Sequence, residues 1–168
     1  MTRRATAIRS LALAALCLAL AGCPGKSSAP PAEINTGASL AGSLPANPLS
    51  WRVITSSADP AAHTMSTLFG NDAAIAYARS NSAHDYPAGA QIALVTWTQR
   101  EDPRWYGANI PSTVQSVEFV TVSGATNGTP SYAYEKYQGQ PLQKVAPDST
   151  SDLQRISFLI SQRSSVFP

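Results

Sequence analysis

The chain has 168 residues, 43% of them hydrophobic and only 13% charged, enough for one modest domain but not comfortably for two. Its formal charge of +2 belongs to the N-terminus: without Arg3, Arg4 and Arg9 the remainder holds nine Lys and Arg against ten Asp and Glu, which excludes the clustered basic face of a nucleic-acid binder. Both cysteines, Cys17 and Cys23, are N-terminal too, so beyond Cys23 there is no disulfide, thiolate zinc site, iron–sulfur cluster or cysteine-attached haem.

Residues 1–10 are positively charged, and residues 11–22 (LALAALCLALAG) form an apolar run of twelve. That run is well short of the roughly 18 residues that cross a bilayer, so 1–22 reads as an export leader. Leu20-Ala21-Gly22-Cys23 resembles the bacterial lipobox, which implies lipidation of Cys23 by palmitate-type acyl chains and anchoring to the cell envelope. The alternative is a soluble signal peptide that ends near a cysteine. Pro24 stands where an inner-membrane retention signal would carry Asp, so the same resemblance implies the outer membrane, facing the periplasm. Residues 23–48 are rich in Pro, Ala, Ser and Gly and are expected to form a tether, leaving 49–168 as the domain.

From Trp51 onward the pattern changes. Trp51–Thr55 reads as a strand, and Thr64–Phe69 as a second strand, with Met65, Thr67 and Phe69 on one face and Ser66 and Leu68 on the other. Gly70 ends it, and Asn71 or Asp72 can cap a thin, alanine-rich helix over Ala73–Arg79. Pro87-Ala88-Gly89 is a turn before Gln91–Thr98, a strand apolar on both faces and therefore central. Val114–Val122 and Ser131–Tyr137 are further strands joined by the Gly124–Pro130 loop. Ser149 is placed to cap a helix over 150–163 with Asp152 three residues on, and Leu153, Ile156, Leu159 and Ile160 follow at helical spacing. Short links and few helices predict an α+β fold with a mostly antiparallel sheet and flanking helices.

The chemistry on offer is sparse. Beyond the leader the only histidines are His63 and His84, both at loops or element edges, and they are weak candidates for a metal or a non-covalent haem. HExxH, GxSxG, Walker-type and GxGxxG motifs are absent. Glu101-Asp102 before Pro103 reads as a solvated turn rather than a catalytic carboxylate pair. The most unusual stretch is Trp97–Gly107, with three large aromatics and two arginines. It reads either as a ligand-pocket wall built by Trp97, Arg104, Trp105 and Tyr106, or as a loop pinned to the domain by its aromatics.

His63-Thr64-Met65-Ser66-Thr67-Leu68-Phe69-Gly70-Asn71-Asp72, followed by Tyr86-Pro87-Ala88-Gly89 and Ala93-Leu94-Val95-Thr96-Trp97, resembles the cytochrome P-460 domain family. The resemblance runs from about Trp51 to Pro168. It implies a mostly antiparallel β fold with flanking helices, a periplasmic location and, in well-known members, a c-type haem used to oxidise hydroxylamine or bind nitric oxide. The family's Cys-x-x-Cys-His near the C-terminus has no counterpart here, and Leu153–Val166 contains neither Cys nor His. The lysine that catalytic members carry before the Trp is also missing, for this stretch reads Ile92-Ala93-Leu94-Val95. A haem-less member is expected. It would be a lipid-anchored module binding a small ligand in a pocket that includes His63, or else a structural protein with a filled core or a non-covalent haem protein. No catalytic residue and no bound metal are expected.

Overall fold

The structure is a computed structural model describing residues 34–80, 85–126 and 129–165. The leader, Cys23 and His84 lie outside the described residues. Six strands form one antiparallel sheet in chain order, each beside its neighbour in sequence: β1 (Arg52–Asp59), β2 (Thr64–Gly70), β3 (Gln91–Glu101), β4 (Asn109–Thr126), β5 (Thr129–Gln138) and the two-residue β6 (Gln143–Lys144). Helix α1 (Asp72–Arg79) lies between β2 and β3, and α2 (Ser149–Ser161) follows β6. The α+β, mostly antiparallel expectation holds.

The strands outrun their sequence-based limits: β1 runs on to Asp59 against β2, and β4 extends at both ends, against β3 at one and β5 at the other. On β3 the run Ile92–Val95 is buried on both faces, as its unbroken hydrophobicity predicts. Alternation along β2 then sorts residues between two cores, as the sequence suggests. Leu68 joins Ile54, Ile92, Leu94, Val120 and Val122 on the helical face. Phe69 joins Ala93, Val95, Trp97, Phe119 and Tyr137 on the other.

What covers that second face differs from expectation. Residues 35–48, assigned to the tether, are part of the fold, and Ala38, Leu40, Leu44 and Ala46 pack on the Phe69–Trp97 core together with Trp51. This strap is pinned by backbone and side-chain hydrogen bonds. Asn35 Nδ2 donates to the Pro111 carbonyl, the Trp97 indole Nε1 donates to the Ala38 carbonyl at 2.9 Å, and Leu142 N donates to the Ala41 carbonyl at 2.7 Å. Its composition is that of a linker, but its few apolar residues meet a sheet face that would otherwise be wet. The partial burial of Leu40 and Leu44, with smaller gains from the two alanines and the hydrogen bonds, offsets the ordering cost.

The Gly70-Asn71-Asp72 corner has a direct physical explanation. A Cβ on Gly70 would come within 2.8 Å of Ile54 Cδ1 and 2.9 Å of Ala74 Cβ, so only glycine lets α1 close onto β1. Asn71 Oδ1 accepts from Ala74 N at 3.0 Å, which caps α1, and from Gln91 N at 3.1 Å. Its Nδ2 donates to the Gly89 carbonyl at 2.8 Å. One side chain therefore caps the helix and ties it to the start of β3.

The other cap is shifted by one residue. Asp148, not Ser149, is the N-cap of α2 and accepts from Thr150 N at 3.2 Å, while Asp152 Oδ2 accepts from Asp148 N at 3.1 Å. The helix ends at Ser161 rather than 163. Its buried residues are Ile156 and Leu159, whereas Leu153 is 68% exposed, so packing begins one turn later than the spacing implied. Beyond α2 the chain returns to the sheet edge, where Ser165 N donates to the Ile54 carbonyl at 2.9 Å.

Candidate functional site

The helical face of the sheet is divided by residue type. Toward α1 it is apolar: Ile92, Val120 and Val122 form a dry floor. Toward the β1–β2 turn the same face carries Ser57, Ser66 and Thr96 in one cross-strand row, with Ser57 opposite Ser66 and Ser66 opposite Thr96. Helix α2 crosses near this divide. Between it and strands β1–β3 lies a groove of about 240 Å³ lined by these hydroxyls, Thr55, Thr64 and Asp59, with Leu68 and Leu94 beneath and Arg155, Phe158 and Gln162 above.

Arg155 is held by a carboxylate. Its Nε donates to Glu118 Oε2 and its Nη2 to Glu118 Oε1, each at 2.8 Å. Glu118 is buried on β4, directly across from Leu94. The Tyr134 hydroxyl donates to the same Oε2 at 2.6 Å. Burial first, and then this bond to a carboxylate, push the Tyr134 phenol well above its ordinary range. The bond to Glu118 raises the Arg155 guanidinium as well, which stays charged. The fork of Arg155 also sits 4.8 Å from the centroid of Phe158, a cation–π contact at the groove's lip.

Sequence reasoning did not single out this Glu118–Arg155–Tyr134 cluster. The available signal was Val117-Glu118-Phe119-Val120, a single carboxylate inside an otherwise apolar strand, which must find a cation or hydroxyl when buried. What it finds is 37 residues away in sequence, on a helix whose orientation only packing determines.

Hydroxyl pairing organises the groove. Ser66 Oγ and Thr96 Oγ1 lie 3.0 Å apart, and Thr55 Oγ1 and Ser165 Oγ 2.8 Å apart. Each hydroxyl offers one donor and two acceptor sites, so a paired row still has capacity for a guest. Arg155 spends two of its five N–H donors on Glu118. A second cleft, about 430 Å³, is larger but is lined by strap residues, among them Leu40, Leu44 and Asn47, and by Leu49, with no charged side chain.

The predicted pocket residues do not converge. Trp97 is buried in the core under the strap. Arg104, Trp105 and Tyr106 stand in the loop between β3 and β4, with Trp105 71% exposed and Tyr106 fully so. Nor do those aromatics pin the loop. Its shape comes from Asp102, whose Oδ1 accepts from Arg104 N at 2.8 Å and whose N donates to the Ala108 carbonyl at 2.9 Å. His63 is exposed in the β1–β2 turn at φ 51°, and its carbonyl accepts from Gln99 N at 3.0 Å. It lines neither cleft. Among the described residues no three His, Cys, Asp or Glu side chains group to hold a metal ion.

Compared with known proteins, residues 45–154 match the family model described as Cytochrome P460. The match begins inside the strap and ends within α2. No curated protein sequence matches the chain.

Proposed function

The chain belongs to the cytochrome P460 family, and from that premise we propose that it is a lipid-anchored protein of the bacterial cell envelope that binds a small polar ligand without a covalently attached haem. The carrying observation is the groove under α2, where hydroxyls from three strands face a guanidinium and an aromatic ring held in place by a buried carboxylate. A few convergent polar groups above an apolar floor are what a small-molecule site requires. Ser66, Thr96 and Thr64 offer hydrogen bonds in both senses, and Arg155 adds charged donors. Phe158 supplies a flat lid.

The residues do not fit the family's haem. Covalent attachment needs thiols, and Cys17 and Cys23 are the only cysteines. On α2, Ile156 and Leu159 occupy the side turned to the sheet. A groove of about 240 Å³ is also smaller than the roughly 300–1,000 Å³ of typical ligand and cofactor sites, so the guest is a molecule of few heavy atoms. The lipobox-like Leu20-Ala21-Gly22-Cys23 supports the anchor, and Pro24 supports the outer membrane and a periplasmic setting.

A second reading, a structural or interaction protein with a filled core, is favoured by the closely packed interior on both faces of β3. Amide-resolved NMR separates the two. On titration with hydroxylamine, acetate and glycerol, the binding reading expects saturable shifts clustered at Thr55, Ser66, Thr96 and Arg155, abolished by Thr96→Val. Shifts that are absent or scattered would leave the filled-core reading standing. An absorption spectrum of the same sample is expected to lack a Soret band, and a stoichiometric Soret band would overturn the haem-less assignment.

A further inference from the structure

We propose that the loop between β3 and β4 is a membrane-docking tip that inserts Trp105 and Tyr106 into the headgroup region of the bilayer to which the chain is anchored. The inference rests on the lipid-anchor reading above. Its own observations are the exposure of the two rings and the point at which the chain enters the fold.

The β3–β4 hairpin ends in seven residues, Asp102–Ala108, between Glu101 and Asn109, which face each other across the ladder. Trp105 and Tyr106 are adjacent at this tip and stand in solvent, whereas Trp97 is buried and Trp51 packs against the core. Two such rings side by side on a seven-residue turn cover no core, and the loop holds its shape without them through Asp102 and Ala108. An amphipathic ring with an apolar body and a polar N–H or O–H favours the boundary between water and hydrocarbon.

The described chain enters the fold at the same end of the sheet. Asn35 opens the strap with its Nδ2 on the Pro111 carbonyl. Pro111 pairs with Gln99, two residues along β4 from Asn109, or about 7 Å from the base of the loop. From Cys23 to Asn35 there are twelve residue steps, a reach of at most about 40 Å. A lipid on Cys23 therefore keeps the tip end of the sheet within reach of the bilayer. This tethering supplies the high local concentration at which two rings suffice for docking.

Charge does not select the partner. Arg104 is balanced within the tip by Asp102, and Arg100 at its base by Glu101, so the rings carry the interaction and a zwitterionic surface is sufficient. The occupant is a lipid interface rather than an acidic protein or a polyanion.

The test uses the full lipidated protein reconstituted into phosphatidylcholine vesicles whose acyl chains are brominated near the headgroup. Tryptophan emission is followed in vesicles recovered by flotation. The expected result is quenching relative to unbrominated vesicles, with that quenched component lost in Trp105→Phe, which keeps an apolar ring but removes the reporter. Tyr106→Ser should reduce the quenching while leaving flotation unchanged. Protein that floats with the vesicles but is not quenched, or is quenched equally in Trp105→Phe, overturns the docking tip and leaves the anchor standing. Protein that does not float overturns the anchor reading, and this proposal with it.

Discussion

Glu118 shows how one side chain can organise the helical face. A buried carboxylate on a central strand is tolerable only with charge compensation and filled lone pairs, and here Arg155 supplies two bonds and Tyr134 a third. The pair orients α2 more than it stabilises the protein, because Arg155 is over a third exposed and solvent screens its share. Tyr86 is the opposite case: buried at the C-terminal side of α1, packed at a tilt against Tyr77 with ring centroids 4.3 Å apart, with no hydroxyl partner among the described residues. Burial pushes its phenol up to about 12, Tyr77 adds to the rise and the Arg163 charge opposes it. The folded state thus favours the neutral form. Stability is intact below the ordinary phenol range near 10 and is lost as pH rises through about 12. The denaturation midpoint should hold to about pH 10 and fall above it, with absorbance at 295 nm showing a tyrosine that ionises only as the fold gives way. In Tyr86→Phe the alkaline loss should shrink and the midpoint at neutral pH should stay level or rise.

Among the elements, the strap carries the clearest liability. Gly42 bridges to Leu142 at φ +144°, and a Cβ there would sit 2.5 Å from the Leu142 carbonyl oxygen, against backbone that has no room to yield. Gly42→Val should therefore cost roughly 2 kcal/mol, combining conformational strain with a displaced strap. The displaced strap would uncover Trp97, so red-shifted tryptophan emission and protease cleavage within residues 35–48 should accompany the lower midpoint. A normal emission maximum with an unchanged midpoint would mean the strap does not depend on that contact. The two helices differ in what holds them. Helix α1 depends on Asn71, which reaches three backbone groups, and α2 depends on Ile156, Leu159 and the Arg155 fork.

At the scale of the molecule, one sheet is covered by helices on one face and by the strap on the other, and the chain enters the sheet beside the exposed aromatic tip. If Cys23 carries the anchor, Cys23→Ser should release the protein to the soluble periplasmic fraction on cell fractionation, because two interfacial rings without a lipid give only transient contact. Full retention in the membrane fraction would exclude lipidation as the anchor. Much of this architecture was legible in residue order. Hydrophobic alternation in Thr64–Phe69, the unbroken run Ile92–Val95 and the Gly70-Asn71 corner are local signals, since strand periodicity and capping act within a few residues. The family follows from the same short motifs. Only the tertiary structure decided that residues 35–48 are packed, that Trp97 is core while Trp105 and Tyr106 are bare, and that Glu118 meets Arg155. Each depends on which distant surface a residue encounters. A linker-like composition or a lone carboxylate states a requirement for a partner, and the packing of the sheet determines which partner meets it.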